Sequence, residues 1–537
     1  MKFPRFLVLL LASLCPSLVS AQTQETPSTY NLYPFAYDLY YAGDTTKKPN
    51  AVRWLHICDS FGDLPSLGRF HAGVRDVIKP YRWAGWFHPS ASSGLNPSPT
   101  AADPAWTITP VHANPANLYY NHFTFATTQT GNPVSNDGNN YSIGLICNGN
   151  GGAAADTSNG PVGAANAMYT RFPVVNSRAR GWKTFPQQFR ELAFAGDVAN
   201  STVLFEWAMD YRVWNRFQSR AQPTSTANKY GNWSVDGDAV TARLIYVQNP
   251  EAPSSLVWRT TRNGSTNNST SFNPRGTLSM TYVDADFTAA STSSVGNYLR
   301  PRILTDALGT NESTGGATGG NTILPLIGVR YFRPNSPGLE FATWSQPGWN
   351  TSQFLDYATY DALDPQATTE WLAALGWPTD ISFQMGQNQT TTQQTELNAG
   401  TTTTFESDYQ NVVNLINGRY DAAGRQRPNW LFIATWRLQS DFIVTSGRNE
   451  TNYTSMAAAI HNLAVINNAS FFNFQSIQHT PEDFTDQGST RVQILWSSDD
   501  VHQSATGAGS LYYVGALWSS MVQAVEDGPP ALRGRPR

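Results

Sequence analysis

Near the end of the chain, Asp499-Asp500-Val501-His502 sets an acid and a histidine three residues apart on one turn. At that spacing the Asp499 carboxylate can accept a hydrogen bond from the His502 ring, which fixes the tautomer and raises the basicity of the other ring nitrogen. Such a pair is a general base in search of a hydroxyl. Ser60 in Asp59-Ser60 is the candidate nucleophile, inert until a base takes its proton. Gly348 in Gln346-Pro347-Gly348 and Asn388 in Gly386-Gln387-Asn388 are candidate hydrogen-bond donors, through a bare backbone amide and a side-chain amide. With the Ser60 amide they would stabilise an oxyanion, each donor contributing about 10²–10³ in rate. Taken singly each has a plainer reading: Ser60 as a helix cap, Gly348 and Asn388 as turn residues, Asp499 with His502 as a surface pair. Their order along the chain, each at the end of a strand-like run, favours the chemical reading.

Those runs are legible. Ala51–Cys58 alternates like a strand, and Leu67, Phe70, Val74, Val77 and Ile78 come after it at helical spacing. After about residue 336, strand-like and helix-like segments alternate: 339–344, helix near 371–375, strand 378–385, helix 405–416, strand 430–435, helix 454–466, short strand 471–474, strand 492–496 and a closing helix to about 525. That rhythm implies a parallel sheet covered on both faces, with active groups at the strand carboxyl ends. Between about 90 and 335 the texture is different. Short β-rich runs such as 202–207, 240–247, 255–258, 278–283 and 323–332 are separated by Gly, Pro, Asn and Ser clusters, the pattern of an inserted β-sandwich of jelly-roll type.

The 537 residues exceed one ordinary core, so two or three domains are expected. Net charge is −4 with no basic stripe, which argues against nucleic acid as a partner. Residues 1–21 have the form of a signal peptide: Lys2 and Arg5, an apolar run from Phe6 to Leu14, then Val19-Ser20-Ala21. The expected product is secreted or periplasmic, with no membrane anchor. Beyond that segment only Cys58 and Cys147 remain; they could pair in an oxidising compartment, or stay as two thiols. The eight histidines are scattered, with no His-Glu-x-x-His or Cys-x-x-Cys, so neither metal nor cofactor is expected. His56 and His71 read as structural. Asp284 and Asp286 alternate as on an edge strand. Trp207, Trp214, Trp233 and Trp258 read first as core aromatics and second as a sugar-stacking face. Several Asn-x-Ser/Thr triplets, at Asn200, Asn232, Asn268, Asn311 and Asn449 among others, fall within the reach of chance in a chain this rich in Asn, Ser and Thr.

Asp59-Ser60, Gly348, Gly386-Gln387-Asn388 and Asp499-x-x-His502, in this order, resemble the four marks of the SGNH/GDSL hydrolase superfamily. The resemblance covers two pieces, 51–89 and 336–525, and leaves the insertion unassigned. It implies a flavodoxin-like three-layer α/β/α fold. It also implies a serine ester hydrolase with Ser60, His502 and Asp499 catalytic and Ser60, Gly348 and Asn388 in the oxyanion hole. Two positions depart from the pattern: Cys58 stands where a Gly is usual, and Gln389 where an Asp is usual. The expected organisation is a signal peptide 1–21, a hydrolase domain in two segments, 22–89 and 336–527, the inserted domain 90–335, and a tail 528–537. The expected substrate is an acylated, in particular O-acetylated, carbohydrate or another ester. A binding or surface protein on a degenerate scaffold, or an O-acyltransferase, would share these residues.

Overall fold

In the computed structural model, residues 26–59, 70–89, 106–108, 141–146, 189–194, 203–210, 220, 240–248, 252, 254–262, 265–277, 279–287, 298–305, 322–345, 350–352, 364–437, 446–477 and 508–529 are described. The chain opens with strand β1 (Thr29–Tyr30), helix α1 (Tyr33–Tyr41), β2 (Ala51–Cys58), α2 (Phe70–Val77) and β3 (Trp83–Pro89). The inserted stretch supplies β4 (Trp106–Ile108), β5 (Tyr141–Ile146), β6 (Phe189–Phe194), β7 (Val203–Asp210), β8 (Val240–Gln248), β9 (Leu256–Arg262), β10 (Ser265–Phe272), β11 (Ser279–Phe287), β12 (Tyr298–Thr305) and β13 (Thr322–Phe332). The remainder alternates: β14 (Gly338–Ser345), α3 (Asp364–Ala374), β15 (Asp380–Gln384), α4 (Thr391–Asn398), α5 (Thr403–Ala422), β16 (Asn429–Ala434), α6 (Glu450–Ile466), β17 (Ser470–Asn473) and α7 (Ala508–Asp527).

Six neighbouring strands run parallel in the spatial order β17-β16-β15-β2-β14-β3, and β1 adds antiparallel to β17. With β3 set aside, the chain order across the sheet is the doubly wound one in which successive strands are added first on one side of β2 and then on the other. The direction reverses between β2 and β15, and ligands in such sheets gather at the carboxyl ends beside that reversal. The α/β expectation is therefore met, with β3 as an extra strand beyond it.

The parallel strands are buried on both faces. On one face Trp54 of β2 meets Phe35 of α1 (6.0 Å between ring centroids) and Phe70 of α2 (6.1 Å), and α7 packs on both helices. On the other, Phe383 of β15, in register with Ile57, meets Tyr409 of α5 at 4.3 Å, and α3, α4 and α6 complete that layer. Strand alternation places Trp54 and Ile57 on opposite faces. The helices are cut where the sequence offers stops: α3 ends at Gly376 (φ +81°), and Thr390 opens α4 with a reciprocal capping box to Gln393.

The insertion is β-rich as expected, but it is not closed on itself. β13 pairs antiparallel with β3 over Gly328–Phe332, and also with β6 and β8, so its strands continue the parallel sheet. A second sheet, β10-β9-β12-β7-β4, is wholly antiparallel. It lies against the first through Trp258, fully buried, whose Nε1 donates to the Ala242 carbonyl at 2.8 Å. That is the core role expected of Trp258. Trp214 and Trp233 lie outside the described residues. Asp284 accepts two hydrogen bonds of 2.8 Å from Arg243, and Asp286 one of 2.6 Å from Thr241; among the described residues β11 pairs with β8 alone. These carboxylates are engaged across the antiparallel β8–β11 pair at a sheet edge, as their alternation suggested.

Candidate active site

Three strand ends are level. Ser345 of β14, Cys58 of β2 and Gln384 of β15 are in register across the sheet. The three strands therefore end at the same height. The loops leaving them open with Asp59-Ser60 after β2, Gln346-Pro347-Gly348 after β14 and, one residue past Met385, Gly386-Gln387-Asn388 after β15.

The third of these turns is built to aim one side chain. Gly386 has φ +134°, and a Cβ there would overlap the Met456 sulfur. Gln387 is buried and clamped. Its amide nitrogen donates to the Trp436 carbonyl and to Thr435 Oγ1 (3.4 Å), while Arg448 donates to its side-chain oxygen (3.2 Å) and its backbone carbonyl. Gln389 donates to the Gly386 carbonyl at 2.9 Å and exchanges two amide hydrogen bonds with Asn452 (2.9 and 3.0 Å). Thr390 then caps α4. Held on both sides, half-buried Asn388 turns its Nδ2 toward Asp59 Oδ2, 3.4 Å away.

Asp59 is buried and directly precedes Ser60. The structure thus brings the Asn388 amide to the residue before the expected nucleophile. Thr351 is 1% exposed, and its Oγ1 accepts from Gln393 Nε2 at 2.9 Å, at the start of α4. Past the opposite edge of the turn, Tyr513 of α7 stacks on Trp436 (4.9 Å, 23°), the residue whose carbonyl holds Gln387. Tyr512 Oη donates to the Ile477 carbonyl at 3.0 Å. The first turns of α7 therefore sit at the carboxyl ends of β16 and β17. Of the expected site residues, Asn388 is described; Ser60, Gly348, Asp499 and His502 lie outside the described residues, as do residues 1–25 and Cys147. Cys58 is buried at the end of β2.

Behind these turns lies a Ser–His contact that the sequence did not disclose. Ser382 Oγ accepts from Trp54 Nε1 at 2.7 Å and shares a hydrogen bond of 2.7 Å with His56 Nδ1. The His56 ring is stacked on Phe70 at 4.0 Å and is fully buried, and desolvation pulls its pKa down to about 3. Among the described residues its Nε2 has no hydrogen-bond partner, and both side chains are fully buried, so this pair is core. His56 is structural, as expected. One further buried group was missed: Gln384 closes β15 with neither amide atom hydrogen-bonded among the described residues. A lone Gln in an apolar run gives no signal of its own.

No protein-family model matches the sequence, and no curated protein matches it. Among solved structures, the chain is similar to a peptidoglycan O-acetylesterase at 11% identity, over 94% of this chain and 100% of that one, with a TM-score of 0.47. It is also similar to a lipase/acylhydrolase from Enterococcus faecalis (12% identity, 35% of this chain and 76% of that one, TM-score 0.22). A third is a family two carbohydrate esterase from Clostridium thermocellum in complex with cellohexaose (10% identity, 54% and 90%, TM-score 0.23). All three scores lie below 0.5, and the fold description rests on the strand order alone.

Proposed function

We propose that this chain is a serine ester hydrolase of SGNH type whose site is assembled from Ser60, Gly348, Asn388, Asp499 and His502. The observation that carries the reading is the approach of Asn388 to Asp59 at the reversal point of the sheet. Two motifs that are 329 residues apart in sequence are adjacent in space, in the order the resemblance requires. In the proposed reaction Ser60 Oγ attacks the ester carbonyl carbon as His502 takes the hydroxyl proton, and Asp499 steadies the resulting imidazolium. Negative charge gathers on the former carbonyl oxygen, where the Ser60 and Gly348 amides and the Asn388 side chain donate to it. The alkoxide leaves with the proton held by His502. Water, deprotonated by His502, then attacks the acyl-enzyme and frees the acid and Ser60.

The finer reading is an exported enzyme that removes O-acetyl groups from a carbohydrate, with the inserted sheets forming a sandwich beside the hydrolase domain. Supporting it are the signal-like residues 1–21 and the β-rich insertion. Purified protein should hydrolyse an aryl acetate, an organophosphonate should label Ser60, and Ser60→Ala should abolish both. Turnover that survives in Ser60→Ala would sink the assignment. Acetate release measured across acetylated polysaccharides, with and without a sugar acceptor, separates hydrolysis from acyl transfer.

A further inference from the structure

The end of the sheet opposite the candidate site carries its own recognition features. Tyr33, Tyr37 and Tyr41 recur every four residues on α1, so they share one face of the helix. All three are half-buried, with ring centroids 5.6 and 4.7 Å apart, and Tyr81 stacks on Tyr41 at 5.9 Å and 23°. Core packing does not need this row. The buried face of α1 is Phe35, Ala36 and Leu39.

At the C-terminal end of the row a cleft of about 480 Å³ opens where β2, β15 and β16 begin. Five cations line it, Lys47, Lys48, Arg53, Arg425 and Arg427, against one carboxylate, Asp38. Their pairing leaves charge over. Lys48 is paired with Asp38, and Arg427 with Asp421 at 2.6 Å. Arg53 stands 3.6 Å from Glu340, a carboxylate already committed to Arg330, and its Nε is buried without a hydrogen-bond partner. Lys47 and Arg425 have no ion-pair partner among the described residues; Lys47 Nζ sits 3.7 Å over the Tyr41 ring instead. The wall of the cleft is Trp377, held at φ +60°, a conformation that is costly for a bulky residue, with its ring against Tyr420 at 5.1 Å. At the other end of the tyrosine row a groove of about 390 Å³ is lined mainly by hydroxyl and amide groups, among them Thr29, Asn31, Ser520 and Gln523; its carboxylate, Asp527, accepts from Gln523 Nε2 at 2.7 Å.

We propose that this face is an accessory binding site for an acidic polysaccharide, with Trp377, Tyr33 and Tyr37 stacking on sugar rings and the cations of the cleft holding carboxylates. The nine residues of α1 span about 13 Å at 1.5 Å each, and the cleft and groove extend the track at both ends. Half-buried tyrosines present flat apolar faces with polar edges, which suits a sugar better than an acyl chain. The surplus charge is local in a protein of net charge −4, so it favours an anion carried on this track over general attraction to polyanions. The site is at the strand amino ends, and it stands whether or not Ser60 is a nucleophile.

The test is titration of the full chain, wild type and Ser60→Ala, with oligogalacturonate, with a neutral cello-oligosaccharide and inorganic phosphate as controls. Saturable, salt-sensitive binding of oligogalacturonate is expected in both proteins. Lys47→Glu with Arg425→Glu should weaken it by about tenfold or more, the equivalent of about 1.4 kcal/mol. Tyr37→Ala should weaken it without changing the salt dependence, and aryl acetate turnover should be unchanged in Tyr37→Ala and in the charge-reversed variant. The proposal is overturned if oligogalacturonate does not bind, or if the charge-reversed protein binds it undiminished. It is equally overturned if the neutral oligosaccharide binds as tightly, or if phosphate alone competes as well as the oligomer. A matching melting temperature for each variant shows that a loss is local.

Discussion

An asparagine amide carries two N–H bonds, and at Asn388 they have different tasks. One points at Asp59 Oδ2, 3.4 Å away; the second is left for an oxyanion in the proposed reaction. Asn388→Ala should therefore lower kcat by about 10²–10³ with a smaller change in KM, which steady-state kinetics on an aryl acetate will read. Gln389 explains one departure from the family pattern. Its amide nitrogen donates to the Gly386 carbonyl, a bond an Asp carboxylate could not make, and Asn452 completes the exchange. In Gln389→Asp the turn loses that donor while Asn452 loses its partner, so the expected result is lower activity with a stability loss of about 1–3 kcal/mol in urea unfolding. His56 has a different signature. Its folded pKa is about 3 against 6.5 when unfolded, so between those values the unfolded chain binds the extra proton. Stability contributed by neutral His56 is complete above pH 6.5 and falls as pH drops toward 3, at up to about 1.4 kcal/mol per pH unit. Urea midpoints measured from pH 7 to pH 4 should fall steeply for the wild type and less so for His56→Gln. The sequence offered Asn388 as a candidate because the chemistry fixes a residue type at a strand end, and the structure sets it beside Asp59; Ser60, Asp499 and His502 lie outside the described residues. The sequence could not disclose the Gln387–Arg448 clamp or the Ser382–His56 contact, since both depend on long-range neighbours that leave no local pattern.

At the scale of elements, position is dictated by register. Because β14, β2 and β15 are parallel neighbours with Ser345, Cys58 and Gln384 aligned, the three strands end at one level of the sheet. The sharpest local demand is at Gly386, where positive φ and the Met456 sulfur together exclude a side chain. Gly386→Ala should cost about 1–3 kcal/mol and reduce turnover, because it displaces the turn that carries Asn388. Adding Met456→Ala removes the overlap but not the φ, so the double variant should recover little stability by thermal melting. Most of these elements were legible as alternating strand and helix periods; β2, β14, β15, β16 and α5 fall where their patterns put them. Others were not, α1 and β3 among them. Five of the nine residues of α1 are aromatic, so it shows little of the polar–apolar contrast by which a helix is read. β3, with Gly85 between Trp83 and Trp86, reads as a loop until its neighbours Glu340 and Tyr331 are seen closing over the glycine.

The whole molecule is held together by one strand with two allegiances. β13 belongs to the insertion by its order in the chain and to the parallel sheet by its hydrogen bonds to β3. Its Arg330, buried, is paired with Glu340 of β14 at 2.5 and 3.1 Å, across what sequence texture presents as a domain boundary. Removing one partner strands a buried charge, so Glu340→Ala should lose about 3–5 kcal/mol, whereas Arg330→Met with Glu340→Leu should lose far less. Helix α3 reinforces the junction: Glu370 accepts from the Met280 amide of β11 at 2.6 Å, and the Ala374 carbonyl accepts from Arg243 of β8 and Arg330 of β13. Composition announced the insertion because its short strands and turn clusters differ from the α/β rhythm on either side. The fusion of its strands to the parallel sheet was invisible, because a strand's sequence records how deeply it is buried and not whom it pairs with. This shapes what can be done with the gene. An excised α/β domain, with 90–335 replaced by a short linker, would expose the flank of β3 as a raw template for other chains, and it should precipitate on expression. Swapping the insertion between relatives would succeed only with cut points placed outside β13, so that the shared strand travels with its host.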